Sequence, residues 1–80
     1  MIQIICKSES YTYNAYHILK AFYPSQEVSC KTDEKASNYV EINFSDGQVI
    51  AVEKEEIKAE TDAEKKAQID KKLYEKLSEK

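Results

Sequence analysis

The chain contains one glycine, Gly47, and it follows Asp46 between two runs of alternating apolar residues. Glycine reaches positive φ without steric cost, so Asp-Gly in this setting is a strong hairpin signal. Residues 38–54 are predicted to form two antiparallel strands, in one of two registers. A two-residue loop pairs Phe44 with Val49 and Ile42 with Ala51, and strands Ile50 and Val52 opposite Asn43 and Glu41. A three-residue loop with Gly47 as a bulge pairs Ile42 with Ile50 and Val40 with Val52. A one-residue slip reverses every facing. The bulged register gathers the apolar side chains on one face and is the one expected.

The same periodicities divide the rest of the chain. Residues 1–7 read as a strand with Ile2, Ile4 and Cys6 on one face and Gln3 and Lys7 on the other. Ile5 breaks the alternation, so both faces are expected to be partly covered. Ser8 to Thr12 reads as a polar connection in which Ser10 or Thr12 caps the next helix. Tyr13 to Tyr23 reads as that helix, with Ala15, Ile18, Leu19 and Phe22 as its apolar stripe and Tyr16 and Tyr23 beside it. Tyr13, Asn14, His17 and Lys20 lie opposite, and Pro24 ends the helix.

Glu27 to Thr32 reads as a short strand with Val28 and Cys30 inward, followed by a polar loop over residues 33–37. After the hairpin comes a charged connection, Glu55 to Glu60. Thr61 with Glu64 three residues on matches a capping box. A helix is predicted from Asp62 to near the end, with Ile69, Leu73 and Leu77 as its stripe, widened by Ala63, Ala67 and Tyr74. The order β-α-β-β-β-α then packs most economically as an α/β fold of two layers (α+β): a four-stranded, mostly antiparallel sheet with both helices on one face. A right-handed parallel crossover would join the first two strands if they are neighbours. The last three would form an antiparallel meander.

Composition restricts function more than it assigns it. Eighty residues make one small domain, with 41% hydrophobic and 34% charged residues, a globular balance. No apolar run is long enough to span a membrane, and the start lacks the basic region and cleavage site of a signal peptide. Two cysteines make neither a disulfide framework nor a cysteine-built zinc site, and the composition suits a reducing cytoplasm. All 12 basic residues are lysine and the net charge is −3. Without the arginine fork, nucleic-acid binding and phosphopeptide clamping are disfavoured.

No chemical constellation emerges. His17 is the only histidine and faces away from the apolar stripe, so it has no second His for a metal pair. A nucleophile–base pair would need Cys6 or Cys30 beside it. Both cysteines read as small core residues, although on adjacent strands they could form a redox pair. Glu53, Glu55, Glu56, Glu60, Asp62 and Glu64 alternate with lysines as a solvated run. Asp33, Glu34 and Asp46 do not have calcium-loop spacing. With one glycine there is no phosphate-cradling loop.

Tyrosine is the unusual component. Six of the eight aromatics are Tyr, and Tyr11, Tyr13, Tyr16 and Tyr23 crowd the first helix and its entry. Tyr16 and Tyr23 can border the core while Tyr11 and Tyr13 cover the helix entry. The four can also form an interface patch, since a tyrosine combines an apolar body with a polar tip.

Two segments resemble a known family. Ile4-Ile5-Cys6-Lys7, Tyr13-Asn14-Ala15-Tyr16 and Ile18 to Pro24 resemble the N-terminal extension of clostridial-type radical SAM proteins, the oxygen-independent coproporphyrinogen III oxidases (coproporphyrinogen dehydrogenases). Lys71 to Glu79 resembles the helix leading from that extension to the catalytic barrel. The middle, about residues 25 to 60, agrees only in strand order and hairpin character. The resemblance implies an N-terminal accessory domain of an oxidoreductase of porphyrin and haem biosynthesis. The parent enzyme would use a [4Fe–4S] cluster and S-adenosylmethionine. The cluster's C-x3-C-x2-C motif is not present here, so no catalytic, cofactor-binding or metal-binding residue carries over. The implied partner is the catalytic barrel of the same polypeptide, with no nucleic acid and no membrane. The alternative is a free-standing cytosolic interaction module, binding a protein through the tyrosine-rich helix or an open sheet edge. A weaker third reading is a small redox or regulatory protein using Cys6 and Cys30. The last helix reaches Lys80 with no Gly or Pro stop, as expected of a domain cut from a longer chain or of a fraying terminal helix.

Overall fold

A computed structural model describes residues 1–6, 9–33, 35 and 38–79. The elements run β1 (Ile2–Cys6), α1 (Glu9–Phe22), β2 (Val28–Thr32), β3 (Asn38–Phe44), β4 (Val49–Glu53), a short 3₁₀ turn (Lys54–Glu56) and α2 (Asp62–Ser78). The fold is α+β: one four-stranded mixed sheet in the order β2-β1-β3-β4, with both helices packed on one face.

The hairpin adopts the bulged register. Ile42 pairs with Ile50 and Val40 with Val52, and a further register irregularity falls between Asn38 and Val40. Phe44 N donates to Gln48 O at 2.9 Å and Gly47 N to Phe44 O at 3.0 Å, leaving Ser45, Asp46 and Gly47 as the loop. Gly47 has φ +93°, a region that side chains with Cβ resist. The Asp46 side chain closes the turn by accepting from Gln48 N at 2.9 Å.

The meander does not form. β1 lies between β2 and β3, parallel to β2 (Ile4 with Cys30) and antiparallel to β3 (Ile4 with Ile42). The physical reason is burial. The β1 residues Ile2, Ile4 and Cys6 are inaccessible and need neighbours on both sides, whereas β2 is mostly exposed and tolerates an edge. Ile5, the residue that breaks the alternation, is half-buried on the helix-free face.

α1 begins at Glu9, a turn earlier than the polar run suggested. Ser10 and Thr12 lie inside the helix instead of capping it. The extra turn brings Tyr11 into the core, 8% exposed, in phase with Ala15, Ile18 and Leu19. Phe22, assigned to that stripe, is 37% exposed, because the stripe drifts off the core after four turns. The helix ends before Tyr23-Pro24, where Tyr23 N donates to Leu19 O at 2.8 Å. In α2, the Thr61 side chain accepts from Glu64 N at 3.2 Å, the N-cap that the sequence pattern implies. Ile69, Leu73 and Leu77 are buried, but Ala63, Ala67 and Tyr74 are exposed: α2 buries a narrow seam over β4 and α1. Cys30, expected to face inward, is exposed on the edge strand. The facing of Lys7, the structure at Ser8, Glu34, Ala36 and Ser37, and the state of Lys80 lie outside the described residues.

Candidate functional site

The four crowded tyrosines do not form one patch. Tyr11 packs into the core edge-on to Tyr39, ring centroids 5.5 Å apart. Burial foremost, then the nearby Asp62 carboxylate and Tyr39, raises its pKa, so it stays a neutral phenol. Tyr23 is half-buried against Phe44 at 5.6 Å, at the end of the sheet. Both are packing residues.

Tyr13 and His17 lie on the outer side of α1, and Tyr16, which packs partly against the core, reaches His17 from its margin. The imidazole lies 4.5 Å from the Tyr13 ring and 5.8 Å from the Tyr16 ring, both edge-on. The i, i+4 spacing of Tyr13 and His17 on one helix puts those two rings together without any tertiary help. Tyr13 is 65% exposed, Tyr16 half-buried and His17 exposed. A second aromatic pair bridges the helices at the surface: Phe22 of α1 and Tyr74 of α2, 5.7 Å apart and 37% and 48% exposed. The sequence reading missed it, because each residue was placed on its own helix's apolar stripe. Their position at the margin of both stripes was the available signal. The helical layer thus presents two exposed aromatic clusters with polar tips at hydroxyl and imidazole groups.

Nothing arranged for covalent chemistry accompanies them. Cys6 is buried while His17 is exposed, so the thiol and imidazole are not brought together. Cys6 pairs in register with Thr32, and Cys30 with Ile4, so the two sulfurs sit diagonally on neighbouring strands. Although Cys30 is exposed as a residue, the burial its thiol does have pushes its pKa up, the opposite of what a nucleophilic thiolate needs. Among the described residues no group of three His, Cys, Asp or Glu comes together as metal ligands. No helix is long and apolar enough to cross a membrane.

Two of the shallow depressions on the surface are lined by described residues. One, about 400 Å³, runs along β4 between Val49, Ala51, Lys76 and Glu79. The other, about 190 Å³, lies on the helix-free face beside Gln3, Asn43 and Phe44. In the second, the N-terminal amine of Met1 donates to Ser45 Oγ at 3.2 Å. Among the described residues, two buried side-chain polar atoms lack a partner, Ser29 Oγ on β2 and Asp70 Oδ1 on α2. Burial raises the Asp70 pKa, and the Lys66 charge opposes that rise. No family model, no curated protein and no solved structure matches the chain.

Proposed function

We propose that the chain is a non-catalytic docking domain that presents the aromatic surface of its helical layer to a larger protein body. The exposure of Tyr13, Phe22 and Tyr74 is the observation that carries this reading. Large aromatic side chains left in water at this density cost solvation free energy that contact with a partner recovers. Tyrosine also dominates interface hot spots, since it covers area with little conformational entropy.

The resemblance of residues 4–24 and 71–79 supplies the partner: the catalytic barrel of a radical SAM enzyme of the oxygen-independent coproporphyrinogen III oxidase type, in the cytoplasm. On this reading the [4Fe–4S] cluster, S-adenosylmethionine and oxidative decarboxylation of porphyrinogen propionates belong to the barrel. The present residues cover or orient it. An antibody against this domain, used on extract of the source cells, tests the assignment. A polypeptide several times larger than 9.2 kDa that carries an iron–sulfur cluster and cleaves S-adenosylmethionine is expected. A 9.2 kDa band with no larger species overturns it.

The second reading is a free-standing interaction module. The observation favouring it is the shared core: both helices and strands β1, β3 and β4 contribute to one buried cluster, and Val28 of β2 packs against it. That reading uses the same aromatic surface, and Tyr13→Ser with Tyr74→Ser should abolish capture of the partner while leaving the fold intact.

A further inference from the structure

The two edges of the sheet are built differently, and the bare one carries a pattern complementary to itself. In the parallel ladder, Ile2 N donates to Glu27 O and Asp33 N to Cys6 O, both at 2.8 Å. Glu27, Ser29, Lys31 and Asp33 therefore direct their main-chain groups at β1. By alternation, Val28, Cys30 and Thr32 direct theirs outward, away from the sheet. Cys30, Lys31 and Thr32 are exposed, and among the described residues no strand pairs with this side of β2.

We infer that β2 pairs antiparallel with β2 of a second copy of this chain, about a two-fold axis at Ser29, joining the two sheets into one. In this register Val28 and Cys30 of one copy exchange main-chain bonds with Cys30 and Val28 of the other. Ser29 meets Ser29 of the second copy at the close, non-hydrogen-bonded position. Ser29 Oγ is buried without a partner in the single chain, and rotation about its χ1 would aim it at the hydroxyl of the second copy. Glu27 stands directly opposite Lys31 of the other copy, and Lys31 opposite Glu27.

Charge selects this register over its neighbours. Centring the axis on Cys30 puts Glu27 across from Asp33 of the second copy, and centring it on Lys31 puts lysine across from lysine. One-residue shifts point the outward groups past each other. An edge lysine normally discourages strand addition. Opposite a glutamate it becomes a selective contact. The inference rests on the sheet edge and does not depend on the aromatic surface.

Sedimentation of the full chain over a concentration series up to about 1 mM provides the test. A concentration-dependent dimer is expected. Lys31→Glu and Glu27→Lys are surface changes that keep the fold, checked by circular dichroism. Each places like charges twice across the axis and should raise the dimer Kd by about tenfold. An equimolar mixture of the two variants should regain the native affinity as a heterodimer. Ser29→Cys in a Cys30→Ser background should give a disulfide-linked dimer under mild oxidation, because antiparallel positions of this kind bring Cα atoms to about 4.5 Å. Lys31→Cys in the same background should not. A chain that stays monomeric at about 1 mM overturns the inference, whether or not it accepts an unrelated extended peptide. So does a dimer indifferent to both charge changes.

Discussion

The sheet ends in two five-residue strands that solve the same problem in opposite ways. An edge strand exposes unpaired main-chain groups that template further pairing. At β4 side chains meet two of these groups. Lys76 of α2 donates to the carbonyl of Ala51, and Glu53 N donates to Glu56 Oε2 at 2.8 Å. The same carboxylate oxygen receives Lys76 Nζ at 3.0 Å. One ion pair thus plugs both an outward acceptor and an outward donor. At β2 no comparable contact closes Val28, Cys30 or Thr32 among the described residues. The difference lies in what is packed above each strand. α2 lies beside β4 and extends Lys76 over its edge, whereas Lys20 of α1 donates to the carbonyl of Gln26 at 2.9 Å, two residues before Val28. An edge is closed where a lysine of the neighbouring helix reaches the strand itself.

The largest break in this contrast comes from detaching the helix that closes β4. Leu73→Ala empties a fully buried site and should cost about 3 kcal/mol in chemical denaturation. Amide exchange should rise at β4 before β2. Gly47→Ala comes next. Its Cβ would meet no atom within 4 Å, so the cost is backbone strain alone, about 1–2 kcal/mol. That bulged turn sets the register that points Ala51 and Glu53 outward, and the thermal midpoint reports its loss.

Lys76→Met keeps the apolar stem but removes the donor. About 1 kcal/mol of stability should be lost, and β4 should become as exchangeable as the other edge. Acid probes the same contact. The Glu53 amide first, then the Lys76 side chain, holds the Glu56 carboxyl below its ordinary pKa. A depressed folded pKa means stability that is full above the unfolded value and lost as pH falls through the folded one. The gap between the native chain and Glu56→Gln should be widest near neutral pH and close in acid. The smallest effect is Asp70→Asn, one turn before Tyr74 on the α1 side of α2. Its raised pKa makes the charged form a cost at neutral pH, so the change should stabilise the chain by less than about 1 kcal/mol and leave β4 closed.

Much of the architecture was legible because it depends on local spacing. The hairpin register follows from Gly47 and the alternation around it, and the α2 N-cap from Thr61 and Glu64. The candidate surface was half legible. Tyr13 and His17 meet through helical spacing, but Tyr11 and Tyr23 went to packing, and the Phe22–Tyr74 pair needed two helices to be placed. The α1 start was misread because a polar run was taken as an end signal, while one buried phenol ring outweighed it.

Periodicity along the chain settles which side of each element is apolar, since facing is a property of neighbours three or four residues apart in a helix and two in a strand. It also settled the parallel crossover as a geometric option. Which strand lies beside which is decided by burial across distant segments. β1 became central because Ile2, Ile4 and Cys6 needed cover on both sides, and β2, with Ser29, Lys31 and Thr32, lost least at the edge. The closed and open edges were likewise beyond local pattern. Lys76 is 25 residues from Ala51 and 20 from Glu56, and only the packing of α2 on β4 brings it within hydrogen-bond reach of them.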